Sequence, residues 1–429
     1  MKKRKSRILV LFLAVLLVSV MSCENPFLKK MLVEEEKGKT VPEKPQAPFV
    51  EGGASLILSP DKLTIEVKAV TSDGSAVAVE GCTETELTSD TETVLHATDT
   101  RVILKGKITK LYCGDYTYNG IRNKLTALNV QGLTALKELS CSYNQQPALN
   151  VQGLNALQRL SSGYNQLTAL NVQGCTALKE LSCGVNQLTA LNVQGLTALE
   201  GLDCHSNQLT ALNVQGLTAL RILGCGDNQL TALNVQGLTT LQTLWCGYNQ
   251  LTALDVQDLT ALQKLGCRNN QLTALNVQGL TALQTLYCEG NQLTELNAQG
   301  LTALQMLDCY NNRLTALNVQ GCTALKTLEC RSNQLTELNV QGLTALRYLD
   351  CWSNRLNADA FKKLFDDLPV WQDSDNAKCI LYTEESGVTE GNHTDFTAPP
   401  DLKDAFDNAK NNKKWKMYKW NGSWPGVEI

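Results

Sequence analysis

The chain has 429 residues, 43% of them hydrophobic and 19% charged, with a formal net charge of -4. Its first 22 residues hold five Lys or Arg and no acidic residue, which leaves 33 basic against 42 acidic residues, or a charge near -9, for the remainder. This composition supplies enough apolar residues for a large core, and the absence of a basic stripe argues against nucleic acid and anionic lipid surfaces as partners.

The N-terminal segment has the features of an export signal. A basic start, Met1 to Arg7, precedes an apolar run from Ile8 to Val20 that is too short to span a bilayer comfortably. The sequence Val20-Met21-Ser22-Cys23 resembles a bacterial lipobox, which implies that residues 1–22 are a lipoprotein signal peptide and that the Cys23 thiol is acylated. Two or three acyl chains would hold the protein stably on a membrane. Secretion without acylation and an uncleaved anchor are the alternatives.

Two segments precede the central part of the chain. Residues 23–53, the acylated Cys23 and a charged, proline-containing stretch, cannot bury a core and are predicted to form a flexible tether. Residues 54–107 alternate in strand fashion, for example from Leu63 to Val70 and from Val77 to Val79. The Asp73-Gly74 pair between these two runs predicts a β-hairpin.

From 108 to 356 the chain repeats a 21-residue unit about twelve times, in the frame Leu-x-x-Leu-x-Cys-x-x-Asn-x-Leu. The register holds at Cys141 and at Ser162, where serine replaces cysteine, and seven extra residues are predicted to loop out around 116–122. The ladder cysteines that follow are Cys183, Cys204, Cys225, Cys246, Cys267, Cys288, Cys309, Cys330 and Cys351. Because 21 residues cannot bury their own apolar face, each unit must stack on its neighbours.

The positions within a unit predict its structure. Leu244 and Cys246 alternate with Thr243 and Trp245, which predicts a short strand, and stacked strands form a parallel sheet. The asparagine three residues after each cysteine, such as Asn249, is predicted to satisfy buried backbone groups of the next coil. The second half of the unit, Leu-Thr-Ala-Leu-Asn-Val-Gln-Gly, is too short for a full helix and is predicted to be extended or to form one turn.

These motifs resemble the leucine-rich repeats of bacterial surface lipoproteins, in particular the adhesin-type repeat proteins of spirochaetes and Bacteroidetes. The resemblance implies a leucine-rich repeat solenoid that functions in binding, but it does not define the ligand. Strand spacing of ~4.8 Å on both sides predicts gentle curvature, a concave parallel sheet roughly 55 Å long and an extended or short-turn convex side. Because a solenoid exposes its core at its first coil, residues 54–107 are predicted to be a β-rich N-terminal cap.

Residues 357–429 are predicted to form an α+β C-terminal cap. An amphipathic helix from Leu356 to Leu368 is followed by a strand at Cys379 to Tyr382, a second helix from about Asp401 and a strand at Trp415 to Trp420. Five of the six tryptophans lie at 352 or later. Covering the solenoid end requires bulky apolar side chains, so the cap is the favoured explanation, with a carbohydrate site as the alternative.

The sixteen cysteines would suggest disulfides in an exported protein. In-register side chains on adjacent strands, however, hold their Cβ atoms ~4.8 Å apart, farther than the ~3.8 Å that a disulfide prefers. Cys175 and Cys322 replace a leucine of the repeat, so cysteine behaves here as a small hydrophobic residue. Buried free thiols are predicted; some disulfides or a metal ladder are the alternatives, and no metal or cofactor is expected.

Residues flanking each cysteine vary between repeats, and aromatic and charged residues dominate from 245 onward. Exposed Trp, Tyr and Arg on a rigid sheet are typical of protein interfaces, although unconstrained surface variation is the alternative explanation. The predicted protein-binding patch comprises Trp245, Tyr248, Arg268, Tyr287, Glu289, Tyr310, Arg331, Tyr348 and Trp352.

No catalytic motif accompanies these features. The three histidines lie in different regions, and Gly-x-Ser-x-Gly, His-Glu-x-x-His and phosphate-loop motifs are absent. Asp308, Glu329 and Asp350 would stack on adjacent coils. Paired carboxylates can do acid-base work, but neighbouring arginines and the lack of a pocket favour a solvated charge ladder. No enzymatic activity is therefore predicted.

The predicted function is that of a lipid-anchored protein on the outer membrane, exposed at the cell surface, whose concave sheet binds a protein of a host cell, a neighbouring cell or the extracellular matrix. The adhesive role is implied by the family resemblance alone. A periplasmic or envelope scaffold that binds the cell's own components is the first alternative. Carbohydrate binding by the C-terminal region is the second, and the sequence leaves the oligomeric state open.

Overall fold

The computed structural model describes residues 46–114 and 123–429. The predicted signal peptide, Cys23, the tether up to residue 45 and the loop at 116–122 lie outside these residues. In the part that is described, the helices fall short of the length and apolarity that crossing a membrane requires.

The strands and helices follow one another in a regular order. The first twelve strands of the chain, which include those of the first three repeats, are β1 (Gly53–Leu58), β2 (Thr64–Thr71), β3 (Val77–Glu80), β4 (Glu86–Leu87), β5 (Glu92–His96), β6 (Arg101–Lys105), β7 (Ile108–Tyr112), β8 (Leu125–Asn129), β9 (Glu138–Ser140), β10 (Ala148–Asn150), β11 (Arg159–Ser161) and β12 (Ala169–Asn171). The remaining repeat strands are β13 (Glu180–Ser182), β14 (Gly201–Asp203), β15 (Ile222–Gly224), β16 (Thr243–Trp245), β17 (Lys264–Gly266), β18 (Thr285–Tyr287), β19 (Glu295–Asn297), β20 (Met306–Asp308), β21 (Ala316–Asn318), β22 (Thr327–Glu329) and β23 (Tyr348–Asp350). The C-terminal elements are α1 (Ala358–Asp367), a 3-10 turn (Asp373–Asp375), β24 (Lys378–Thr383), α2 (Pro400–Asn411), β25 (Lys416–Trp420) and β26 (Val427–Glu428).

One long parallel sheet contains a strand from every repeat. Each repeat strand pairs in register with the strand of the next repeat, as Leu244 does with Leu265. The row runs from β7 through β9, β11, β13 to β18, β20 and β22 to β23. The outermost strands of this main sheet, β5 and β26, each pair with a single neighbour, so the sheet is open at both ends. The predicted leucine-rich repeat solenoid is confirmed.

The core side of the main sheet is a continuous stack of leucines and cysteines. Leu244 and Cys246 are fully buried, as are their counterparts in the neighbouring coils. The fifteen described cysteines are all free thiols and all but Cys82 are buried, which confirms the prediction of free thiols for this part of the chain. Burial raises the pKa of the Cys113 and Cys267 thiols to about 12, so they remain protonated.

The asparagine of each frame connects its own coil to the preceding one. Asn249 donates from Nδ2 to the carbonyl oxygens of Cys225 at 3.0 Å and Cys246 at 3.1 Å, and its Oδ1 accepts from the Leu230 N–H at 2.9 Å. The same pattern recurs from Asn144 to Asn354. We call this set the asparagine ladder. Its predicted structural role is confirmed, because it satisfies turn groups that have no strand partner, but the coil that each asparagine reaches is the preceding one and not the next.

In the described residues of the repeats, the side of each coil opposite the main sheet contains no helix. Among these residues only β10 with β12 and β19 with β21 form short parallel pairs on that side, and the other coils are extended with turns. Asn276 and its counterparts accept a hydrogen bond from the backbone N–H two residues later, here Gln278 at 3.0 Å. The prediction of an extended or one-turn segment is confirmed, and it keeps the spacing of this side close to that of the strands.

The N-terminal strands cover both sides of the first coil. β2 pairs antiparallel with β7 at the edge of the main sheet, and β1 pairs antiparallel with β8 on the opposite side. The predicted hairpin at Asp73-Gly74 is wrong, because the two flanking strands lie in different sheets: β2 pairs with β5 and β7, whereas β3 pairs with β4 and β6. Alternation identified the strands, but their partners are distant in sequence.

The C-terminal segment extends the solenoid as well as covering it. β24 continues the main sheet parallel to β23, and β25 continues it parallel to β24, with α1 and α2 between these strands. Phe361 and Phe365 of α1 are buried against Phe396 and Phe406, whose rings lie 5.1 to 5.6 Å from theirs or from each other. The predicted helices and strands are confirmed; their place in the main sheet was not predicted.

Replacing one member of the asparagine ladder should destabilise the fold. Asn249→Ala removes the hydrogen bonds to two carbonyl groups and one N–H and leaves these groups buried, so we expect a loss of about 2–4 kcal/mol in the free energy of unfolding. The matched control Asn276→Ala removes one bond at an exposed position and should cost less than about 1 kcal/mol. Urea unfolding followed by circular dichroism measures both; equal losses would contradict a structural ladder.

Candidate functional site

Most of the predicted patch lies on the side of the main sheet that faces away from the core. This is the surface that the sequence predicts to be concave, and it is here called the outer face. Tyr248 and Arg268 are exposed, with 52% of Tyr248 accessible. Trp245, Tyr287, Tyr310, Arg331 and Tyr348 are half-buried. Glu289 and Trp352, in contrast, are buried, with only 3% and 9% accessible.

An aromatic depression of about 650 Å³ occupies the middle of the outer face, and its lining includes His205, Trp245, Tyr248, Arg268 and Tyr287. Trp245 lies flat across the next strand and stacks on Tyr287 with ring centroids 6.0 Å apart. Gly266 makes this possible, because a Cβ atom there would lie 2.2 Å from the Trp245 ring. Gly266, which has no side chain, therefore leaves the space that the Trp245 ring fills.

Arg268 forms the edge of the aromatic depression. Its guanidinium carbon lies 5.1 Å from the Tyr248 ring centroid, within range of a cation–π contact, and its Nη1 is 3.6 Å from Glu289 Oε1. A side chain at Gly247 would meet Arg268 at 2.8 Å, so this glycine also leaves room for its neighbour. Glycines that read as simple small residues in the sequence thus allow large side chains to lie over the sheet.

Four carboxylates follow the aromatic depression along the main sheet. Asp308, Glu329 and Asp350 occupy equivalent positions of adjacent strands and are paired in register, as predicted. Glu289 comes from the coil before Asp308. We call these four side chains the carboxylate row.

Arg331 is held within the carboxylate row by three groups. Its Nη1 lies 2.6 Å from Glu329 Oε2 and 3.1 Å from Asp350 Oδ2. Its guanidinium stacks on the Tyr310 ring, 3.7 Å from the centroid. One guanidinium therefore bridges two carboxylates while an aromatic ring covers its face, an arrangement that suits arginine more than lysine.

The prediction that these carboxylates are a solvated ladder is wrong for Asp350, whose side chain is 5% exposed, and for Asp308, which is half-buried. Burial, followed by the charges of Glu329 and Glu289, raises the pKa of Asp308 to about 8. Burial raises the pKa of Asp350 to about 7 despite the nearby Arg331 guanidinium, and burial also raises that of Glu289. Large neighbouring side chains exclude the water that the sequence alone would place here.

The C-terminal end of the outer face is closed by aromatic side chains. Trp352 stacks on Trp420 with centroids 6.1 Å apart and rings 2° from parallel, and it packs with Ile380 and Tyr418. Because Trp352 is covered in this way, its ring face is not open to a sugar. This burial follows from the extra strands β24 and β25, which the sequence did not reveal.

His205 also lines the aromatic depression, and it was not among the residues predicted for the site. Its Nδ1 is 2.6 Å from Asp203 Oδ1, and this hydrogen bond raises the pKa of the imidazole. Asp203 lies two residues before His205, and strand alternation places these two side chains on the same face, opposite that of Cys204. Across the described ranges, no group of three or more His, Cys, Asp or Glu side chains could hold a metal ion.

Comparisons with known proteins agree with this fold. The functional domain of InlJ from Listeria monocytogenes, which includes a cysteine ladder, matches with a TM-score of 0.52 and 27% identity over 76% of this chain and 76% of that one. A leucine-rich repeat protein from Leptospira interrogans matches with a TM-score of 0.52 and 30% identity over 56% and 66% of the two chains. YopM from Yersinia enterocolitica has a TM-score of 0.54 at 23% identity, over 73% and 64%. No family model and no curated protein matches the chain.

The twelve in-register coils and these likenesses define a leucine-rich repeat protein. The three neighbours are bacterial, and the cysteine ladder of InlJ parallels the row of buried thiols described above. A solenoid of this class presents one long, pre-formed surface for macromolecular contact, which agrees with protein binding as its general role.

The raised pKa of Asp308 predicts a pH-dependent effect on stability. Between its ordinary value of 3.8 and about 8, the folded protein keeps a proton that the unfolded chain releases, so this group's contribution to stability is lost as pH rises across that window. Asp308→Asn should therefore raise the melting temperature relative to wild type at pH 8, and the difference should vanish near pH 4. Thermal melts at pH 4, 6 and 8 measure it.

Asp255→Asn is the matched control, because asparagine is the usual residue at that repeat position and Asp255 lies exposed on the opposite side of the coil. It removes the same charge at a site without burial. A pH-independent gain in Asp308→Asn, or an equal gain in the control, would contradict the assigned cause.

Proposed function

We propose that the protein is a lipid-anchored bacterial surface protein that binds another protein through the outer face of its main sheet, in adhesion to a host cell, a neighbouring cell or the extracellular matrix. The lipobox-like sequence ending at Cys23 supports the anchor. The charged tether that follows would hold the solenoid away from the membrane. Outer-membrane location and surface display belong to the same proposal.

The observation that carries protein binding is the contrast between the two sides of the coils. The opposite side repeats Thr, Ala, Asn and Gln almost without change, whereas the outer face from β16 onward presents Trp, Tyr and Arg side chains around the aromatic depression. Side chains such as Trp245 and Tyr287 are held by stacking, so binding them would cost little conformational entropy. Aromatic residues and arginine at a pre-formed surface are the usual anchors of interfaces.

The anchor is tested at Cys23. In cells that carry the lipoprotein-processing enzymes, the wild-type protein should incorporate radiolabelled palmitate and fractionate with membranes, whereas Cys23→Ser should lose the label and be released. A protease added to intact cells should degrade the wild-type protein. Complete protection would contradict surface display and favour the periplasmic scaffold that binds the cell's own components.

The patch is tested by alanine substitution. Trp245→Ala with Tyr287→Ala and Tyr310→Ala should weaken adhesion of protein-displaying cells to host cells or matrix by at least about tenfold, because such anchors each contribute about 1–2 kcal/mol or more. Tyr248→Ala tests the patch at a single exposed side chain. Its matched control is Tyr164→Ala, because both tyrosines are exposed and have φ 54° at the same repeat position. Unchanged adhesion in the triple variant, with melting temperature preserved, would place the binding site elsewhere.

A further inference from the structure

The carboxylate row has more carboxyl groups than its own arginines can pair with. Its four carboxylates face two guanidiniums, those of Arg268 and Arg331. Among the ion pairs of the described residues, none involves Asp308, the half-buried member between Glu289 and Glu329. The carboxyl group of Asp308 therefore has no cation in direct contact within the described structure.

Two buried oxygen atoms at the carboxylate row also have unused hydrogen-bonding capacity. Glu289, which is 3% exposed, and Asp350, which is 4% exposed, have one oxygen each, Oε2 and Oδ1, without a hydrogen-bond partner in the described structure. A buried acceptor without a donor is costly, so a site for a donor is indicated. This observation is independent of the charge count.

Arg331 shows within the same row how a cation is accommodated. It bridges two carboxylates of adjacent coils and stacks on a tyrosine. Around Asp308 the same kinds of groups are present: carboxylates of adjacent coils, Glu289 and Glu329, and the half-buried rings of Tyr287 and Tyr310. A cationic side chain would find anionic oxygens for its head group and aromatic surface for its methylene stem.

We propose that the carboxylate row receives an arginine or lysine side chain from a basic, exposed segment of the protein partner, with Asp308 as the principal contact and Glu289 and Glu329 on either side. This inference rests on the proposed function, because it gives the chemical character of the partner that the outer face binds. Once Asp308 is ionised, the negative charge of the row and the aromatic rim favour a peptide cation over an anionic or neutral segment. The aromatic depression beside it would receive the apolar residues of the same segment.

Binding of such a cation should be coupled to proton release. The titratable and charged groups that face Asp308 are Glu289 and Tyr287 from one neighbouring coil, Glu329 and Arg331 from the other, and Tyr310 from its own. Because the pKa of Asp308 is raised to about 8, the free protein at pH 7 holds a proton there that a bound cation would displace to the buffer. Affinity should therefore rise with pH up to about 8.

The experiment uses the full chain and a ten-residue peptide with three arginines spaced by glycine and serine. Arginine remains charged over the whole pH range, so a change in affinity reports the protein. Isothermal titration calorimetry at pH 6, 7 and 8, in two buffers of different ionisation enthalpy, gives the affinity and the number of protons released. Spermidine and peptides with glutamate or serine in place of arginine are titrated in parallel.

We expect the arginine peptide alone to bind, with up to about one proton released per peptide at pH 7 and an affinity several-fold higher at pH 8 than at pH 6. Asp308→Asn should weaken binding at least about tenfold and abolish proton release, and Asp308→Asn with Glu289→Gln should weaken it further. Asp255→Asn, with the same loss of charge on the opposite side, should bind as wild type. Thermal melts confirm that each variant is folded.

Equal binding of the glutamate or serine peptide, or equal effects of Asp255→Asn and Asp308→Asn, would overturn the inference. Spermidine binding as tightly as the peptide would also overturn it, because the row would then serve a small polyamine. Failure of the arginine peptide to bind, while the Trp245, Tyr287 and Tyr310 triple variant still loses adhesion, would reject the basic partner and leave the proposed function standing. If substitutions on the outer face leave adhesion unchanged, the proposed function itself is wrong.

Discussion

Each coil turns inward after its cysteine, and the backbone groups of that turn are satisfied by its own asparagine together with the asparagine of the coil that follows, as Asn228 and Asn249 both do at Cys225. Asn249, for example, bonds to the carbonyls of Cys225 and Cys246 and to the N–H of Leu230. Because a buried turn without these bonds would be costly, every coil must stack on the next in one register. The parallel sheet, the leucine and cysteine core and the rows of outward side chains all follow from this constraint.

The same register explains why the outer face has unusual electrostatics. Equivalent positions of successive coils lie about 4.8 Å apart, so like residues at one repeat position become direct neighbours. For Asp308, Glu329 and Asp350 this brings carboxylates together in a partly dry environment, and like charges in such rows are destabilising. Arg331 offsets part of that cost, and protonation of Asp308 offsets another part. A surface that is unfavourable by itself is suited to a partner that brings a positive charge.

Regularity decided which features were predictable. The cysteine period, the ladder asparagines and the alternation around Leu244 recur in nearly every unit, so each was tested many times within one chain. The flanks lack that repetition: the run before Asp73-Gly74 suggested a hairpin, yet β2 and β3 belong to different sheets. Asn392 likewise carries no repeat signal, but it extends the asparagine ladder by donating to Cys351 and Leu381 and accepting from Leu356.

The sequence alone determined the leucine-rich repeat fold, the free thiols of the core and the side of the sheet on which variable residues gather, because each depends on local periodicity and on spacing that stacking must respect. It also indicated most of the candidate patch. Only the tertiary structure decided that Trp352 and Glu289 are buried, that Gly266 leaves room for Trp245, that β24 and β25 lengthen the main sheet, and that Asp308 forms no ion pair with the other described residues. These outcomes depend on contacts between side chains of different coils. The direction in which a side chain points, and the neighbours that bury it, cannot be deduced from the residue at any single repeat position.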